Sequence, residues 1–154
     1  MKKSTITIAL AALLLALATT GCDLLLGDKV TEEERLDAFV ADANASTRNY
    51  EDMQSHFHST TRERNSMNTE EYWEGTNGFS LNDRTISITD LTSGGEVGGV
   101  AGTSSLSGTI TTTNLSSGAP ITIGFLADET NPREMKIRLI LIDGENTEEI
   151  RSVR

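Results

Sequence analysis

The chain has 154 residues, 36% of them apolar, and carries 23 acidic against 13 basic side chains for a formal charge of −10. An acidic surface of this kind repels phosphate backbones and anionic headgroups, which excludes nucleic acid as a partner. A single cysteine excludes an internal disulfide, so the core alone must hold the fold.

The first element in chain order is a leader. Lys2 and Lys3 precede an apolar stretch of thirteen residues from Ile6 to Ala18, and Thr19-Thr20-Gly21-Cys22 follows. As a helix rising 1.5 Å per residue that stretch is about 20 Å long, too short to span a bilayer and of the length found in export signals. A small residue directly before the sole cysteine resembles the lipobox of bacterial lipoprotein signal peptides. The match holds at Gly21 and Cys22 and is acceptable at Thr20; at Thr19 the family usually has Leu. The resemblance implies that residues 1–21 are removed and that Cys22 becomes an acylated N-terminus, carrying a diacylglyceryl thioether and a fatty acid such as palmitate. Several acyl chains at about 0.8 kcal/mol per buried methylene hold a protein on a lipid bilayer almost permanently. The alternative is an ordinary export signal and a buried cysteine in a secreted protein.

Removing residues 1–21 leaves 133 residues with a formal charge of −12, enough for one domain. Residues 22–30 are then the lipidated cysteine and a short tether. Leu24, Leu25 and Leu26 either dip into the membrane interface or pack against the domain. Asp23 fits the inner-membrane retention pattern of enterobacterial lipoproteins, a rule that does not hold in every bacterial group, so inner and outer membrane both stay open.

Residues 31–154 divide into a helical half and a strand half. Thr31 reads as an N-cap with Glu34 completing a capping box, and Glu32 and Glu33 suit the positive end of the helix. Leu36, Phe39, Val40 and Ala43 then form one apolar stripe. Asn49 caps a second expected helix with Tyr50, Met53 and Phe57 on one face. A third starts near Asn68 or Thr69, carries Tyr72 and Trp73, and stops at Gly75.

From Phe79 the apolar period becomes two. Ile86 and Ile88 alternate with polar residues, and a turn rich in glycine (Gly94, Gly95, Gly98, Gly99) follows. Val100, Leu106 and Ile110 share one face of the next segment, with Thr103, Thr109, Thr111 and Thr113 on the other. Ile121, Ile123 and Phe125 mark a further strand, and Met135, Ile137, Leu139 and Leu141 another, whose second face is also apolar at Ile140 and Ile142. Asp143-Gly144 reads as a hairpin turn before a last strand near Glu149–Val153. Gly102, Gly108 and Gly124 within strands predict bulges or bends, and so a strongly curved sheet.

Helices first and four or five antiparallel strands afterwards make an α+β domain, with the N-terminal helices packed on a curved antiparallel sheet. This order of elements, with the placements of Tyr50, Phe57, Tyr72 and Trp73, resembles the NTF2-like (cystatin-like α+β cone) superfamily over about residues 31–154. The resemblance implies a pocket between the helices and the concave sheet face, lined by those four aromatics. Other helix-on-sheet sandwiches, and an all-β sandwich behind a helical stalk, are alternatives.

Chemistry-bearing residues are sparse. His56 and His58 are the only histidines; two residues apart, they do not share a helix face, and no third ligand stands at a metal-site spacing. If the cone were catalytic, as in enzymatic members of the superfamily, Asp52, His56, Tyr50 and Tyr72 would be its candidates, with Asp90 and Asp128 at strand ends. Between Thr103 and Thr113, eight of eleven residues are Ser or Thr, as expected for the water-facing side of a half-buried sheet. No phosphate-cradling loop, nucleophile elbow or metal cluster is present, so no cofactor is implied. The expectation is a non-enzymatic cell-envelope lipoprotein that binds a small ligand or an envelope protein. The alternatives are an isomerase or hydrolase working in the cone, and a structural or assembly lipoprotein acting through its surface.

Overall fold

The computed structural model describes residues 29–75, 79–82, 84–113, 118–143 and 152–153. The leader, Cys22 and the tether up to Asp28 lie outside the described residues, as do Gly144 and most of the expected last strand. Four helices precede a four-stranded antiparallel meander: α1 (Glu32–Ala43), α2 (Tyr50–Ser55), α3 (Ser59–Asn65), α4 (Glu70–Glu74), then β1 (Ile86–Gly94), β2 (Ser104–Thr112), β3 (Ala119–Ala127) and β4 (Met135–Ile142). The strands pair in chain order and the sheet is open, so the domain is α+β.

The start of α1 obeys its local sequence. The Glu34 amide donates to Thr31 Oγ1 at 3.2 Å, and the Thr31 amide donates back to the Glu34 carboxylate at 2.8 Å. Leu36, Phe39 and Ala43 are buried along the expected stripe, with Val40 packed beside them. Thr69 caps α4, which ends at Gly75 as anticipated.

The expected helix through Phe57 is instead broken. Its amphipathic spacing continues, but the edge of β4 captures the backbone at 56–58. The Ile137 amide donates to the His56 carbonyl at 2.9 Å, and the His58 amide donates to the Ile137 carbonyl at 2.8 Å. Phe57 thus sits in a parallel bridge to Ile137. His58 restarts the chain as α3 by accepting the Thr60 amide on Nδ1. A helix at 59–65 was not foreseen, because its seven residues (STTRERN) carry no apolar stripe. What holds it is Thr61, fully buried, whose hydroxyl donates to the Arg138 carbonyl at 2.7 Å.

One sheet face packs on the helices through Ile86, Leu106, Ile110, Ile121, Ile123, Phe125, Ile137, Ile140 and Ile142. On β4 the step from Ile137 to Ile140 breaks a strict alternation. Ile137 pairs with Phe125 and Leu139 with Gly124, which leaves Arg138 as the extra residue of a bulge. The bulge switches the face of every later residue, so Leu139 and Leu141 leave the face they were expected to share with Ile137. A second irregularity lies in β1 between Thr89 and Thr92, where Asp90 adopts φ +57°.

The glycines expected inside strands at 108 and 124 sit beside these irregularities. Residues 100–103 instead precede β2, so Val100 is a loop residue rather than a strand residue. The segment from Gly94 to Thr103 folds onto the far sheet face. A Cβ on Gly124 would stand 2.5 Å from Val97 Cγ1, and buried Thr103 accepts the Val97 amide at 3.0 Å while donating to the Val100 carbonyl at 2.8 Å. A Cβ on Gly108 would lie 2.4 Å from the Thr89 carbonyl oxygen, a backbone atom that cannot swing aside, whereas one on Gly95 would meet nothing within 4 Å. Gly108→Ala is therefore expected to cost about 1–3 kcal/mol by forcing the β1–β2 pair apart. Gly95→Ala should stay within about 0.5 kcal/mol. Urea unfolding midpoints of the two variants measure the difference.

Candidate functional site

The four aromatics expected to line an internal pocket occupy different places. Phe57 and Trp73 are fully buried. With Phe39 and Phe79 they form a ring cluster: Phe39 meets Phe57 edge-on at 5.3 Å between centroids, and Trp73 lies within about 6 Å of Phe39, Phe57 and Phe79. The Trp73 indole donates to the Met67 carbonyl at 2.6 Å, so its polar atom is satisfied in the core. Tyr72 is half-buried against Trp73 at 5.0 Å, and burial pushes its phenol pKa up. Tyr50 lines a cleft formed by described residues.

That cleft opens where α1 ends. It is lined by Asn44, Ala45, Ser46, Thr47 and Arg48 from the loop, Tyr50 from α2, Glu70 and Glu74 from α4, and Thr85 before β1, and encloses about 430 Å³. Arg48 builds its frame. Nε donates to the Ala43 carbonyl at 2.7 Å, Nη1 to Glu74 at 2.7 Å and Nη2 to the Arg84 carbonyl at 2.6 Å, so one guanidinium joins α1, α4 and the entry to β1. Asn44 does the same for the sheet edge. Its side-chain amide donates to the Ile86 carbonyl and accepts the Ile86 amide, both at 2.8 Å, in place of a neighbouring strand. The Tyr50 phenol is raised above its ordinary pKa of 10, first by burial and then by the charges of Glu74 and Glu70. A second, shallower cleft of about 310 Å³ is lined by Gln54, Ser59, Arg62, Glu63 and Asn68.

His56 belongs to a polar seam that runs along α1 from Arg35 in its first turn to Asp42 in its last. Arg35 Nε donates to the Met135 carbonyl at 2.9 Å, Nη1 donates to His56 Nδ1 at 3.1 Å, and Nη2 pairs with Glu134. Because a guanidinium has no lone pair to offer, Nδ1 is the acceptor, and the ring proton sits on Nε2, which donates to Asp42 at 2.7 Å. Lys136 completes the seam on Glu134 at 2.7 Å and on the Ser55 carbonyl at 2.8 Å. Arg35 is an interior residue that the sequence does not single out, since it stands next to the stripe rather than on it.

His58 has separate partners: Nδ1 takes the Thr60 hydroxyl at 3.1 Å, and Nε2 is buried with no hydrogen-bond partner among the described residues. Among those residues no group of three or more His, Cys, Asp or Glu side chains is placed to hold a metal ion. Asp52 is exposed and accepts from Asn49 at 2.7 Å. Asp90 lies in the β1 bulge. Asp128 closes the β3–β4 turn through the Thr130 hydroxyl and amide, which hold its carboxyl below the usual range. The six catalytic candidates are thus dispersed rather than gathered into one site. Comparison of the chain with protein-family models, with curated proteins and with solved structures finds no match.

The seam has a pH signature. Burial lowers the His56 pKa first, Arg35 and Lys136 lower it further, and Asp42 opposes them. Folded His56 therefore binds its proton more weakly than the unfolded chain, whose imidazole titrates near 6.5. Its contribution to stability is complete above that value and falls as the pH drops below it. The carboxyl of Glu134, held low first by Lys136, acts in a separate window: its contribution is lost only as the pH falls below the unfolded value of 4.5. Urea midpoints should therefore decline from about pH 7.5 to about pH 5.5, and the decline should vanish in His56→Phe. At the cleft, Arg48→Lys keeps the charge but cannot reach three acceptors, and is expected to cost about 1–3 kcal/mol in the same assay.

Proposed function

We propose that this chain is a cell-envelope lipoprotein of non-enzymatic type, anchored to a bacterial membrane through acylated Cys22, that offers its α+β domain to a ligand or protein partner at the cleft after α1. One observation carries the reading: Val30 and the cleft lie at opposite ends of α1. Val30, the last residue of the tether, pairs with the β3–β4 turn, donating to the Arg133 carbonyl at 3.0 Å and accepting the Met135 amide at 3.1 Å. The cleft begins at Asn44, past the C-terminal end of α1. Twelve residues at 1.5 Å each separate the two by about 18 Å. A protein held at Val30 then opens its cleft away from the bilayer.

Helices laid on one face of a bulged antiparallel sheet support an NTF2-like domain. The space that a catalytic cone keeps open is taken here by Phe39, Phe57, Trp73 and Phe79, and His56, the one buried base of the set, has both ring nitrogens committed. Those facts weigh against an isomerase or hydrolase. An assembly role through the surface draws little support either, because both sheet edges are guarded. The β4 edge is covered by bridges from Val30, Phe57 and Val153. The β1 edge is closed at its start by Asn44 and kinked at Asp90. Leu91 is the sole exposed large apolar side chain among the described residues.

No helix among the described residues is long and apolar enough to cross a membrane, and in this proposal the attachment is through Cys22. Cys22→Ser should abolish incorporation of labelled palmitate and move the protein from the membrane to the soluble fraction. A Cys22→Ser form that stays with membranes overturns the lipoprotein reading. Fractionation of the native protein between inner and outer membranes decides whether Asp23 acts as a retention signal.

A further inference from the structure

The cleft after α1 looks at first like a site for anions, because Arg48 lines it. Each of its three nitrogens already donates, to the Ala43 carbonyl, the Glu74 carboxylate and the Arg84 carbonyl, and Glu74 offsets its charge. The Asn44 amide is equally committed to the Ile86 backbone. Glu74 is neutralised by Arg48 at 2.7 Å, so the charge left over on the lining is that of Glu70. Beside it stand the Tyr50 ring and the hydroxyls of Ser46 and Thr47. An aromatic ring with an uncompensated carboxylate is the combination that attracts a cation and repels an anion. Burial first, and then the charges of Glu74 and Glu70, raise the Tyr50 pKa, so part of that negative field reaches the ring. The volume of about 430 Å³ falls within the range of small-molecule sites, and the overall charge of −10 draws cations toward the molecule.

We infer that the cleft takes a small organic cation, a primary or quaternary ammonium group held by Glu70 against the Tyr50 ring, with Ser46 and Thr47 contributing hydroxyls. The inference rests on the ligand-binding reading given above and names its chemical class. The frame around the cation is rigid before it arrives, since Arg48 and Asn44 already tie the loop to α4 and β1, so little ordering is required on binding.

Amide NMR of the full chain in neutral detergent micelles tests this, with ethylammonium, tetramethylammonium, acetate and glucose as separate probes. The expected result is a saturable shift at Ser46, Thr47 and Glu70 with at least one ammonium probe and none with acetate. Glu70→Gln should weaken that binding roughly threefold to tenfold. Asp37→Asn, the same change of charge on the exposed side of α1, should leave it within about twofold. Shifts that never saturate, or equal weakening by both variants, overturn the inference, since the overall field then explains the effect. Saturable shifts with acetate or glucose at the same residues overturn the cationic class and leave a ligand-binding cleft standing. No shift with any of the four probes overturns the inference, and the membrane reading is then judged separately by the Cys22→Ser fractionation.

Discussion

The contact on which this domain depends is the meeting of Phe39 with Trp73. The four helices have 12, 6, 7 and 5 residues, all at or below the length at which an isolated helix holds in water. Each must therefore be stabilised by packing, and rings from two helices and from two segments beside them meet in one place. Phe39 comes from α1, Phe57 from the break after α2, Trp73 from α4 and Phe79 from the segment that follows. That last segment is held to α4 by backbone bonds, from the Phe79 amide to the Tyr72 carbonyl at 3.0 Å and from the Leu81 amide to the Trp73 carbonyl at 2.6 Å. Rings of this size each bury roughly 150–250 Å² and prefer the edge-on and tilted geometries seen here. Filling the space between helices and sheet with rings is also what moves any binding surface to the outside.

Two arginines fix α1 across the sheet. Arg35, in its first turn, bonds the Met135 carbonyl on β4, and Arg48, just beyond its end, bonds the Arg84 carbonyl ahead of β1. The helix thus runs from one edge strand to the other. Its length of about 18 Å compares with about 14 Å for three strand spacings. Each guanidinium bonds a backbone carbonyl and a carboxylate, so charge brought partly out of water is compensated on the spot. The same crossing separates Val30 at one end of α1 from the cleft at the other. Structure and proposed function are therefore joined through one helix and its two terminal clamps.

Much of the fold was legible in the sequence where a local rule governs. The Thr31–Glu34 capping box, the α1 stripe, Thr69 and Gly75 at the ends of α4, and the alternation of Ile121, Ile123 and Phe125 all follow from contacts within a few residues. What failed did so where a distant partner overrode the local pattern. The spacing of Tyr50, Met53 and Phe57 is helical, yet the backbone at 56–58 bonds to Ile137, some eighty positions away. On β4 an unbroken alternation from Met135 to Leu141 conceals the bulge at Arg138, because both faces are apolar and either register looks acceptable. The candidate site was hidden further. Of its lining the sequence points to Tyr50 as a pocket residue, since Arg48, Glu70 and Glu74 carry no local signal until the fold brings them together.

The sequence by itself determined the α+β class of the domain and the order of helices before strands. Those properties rest on periodicity and capping, which need only neighbours along the chain. The tertiary structure alone decided that the aromatics fill the interior, that His56 is locked between Arg35 and Asp42, and that a polar cleft forms behind α1. Each of these depends on side chains from separate elements meeting within hydrogen-bond or van der Waals distance, and spacing along a chain carries no record of that meeting.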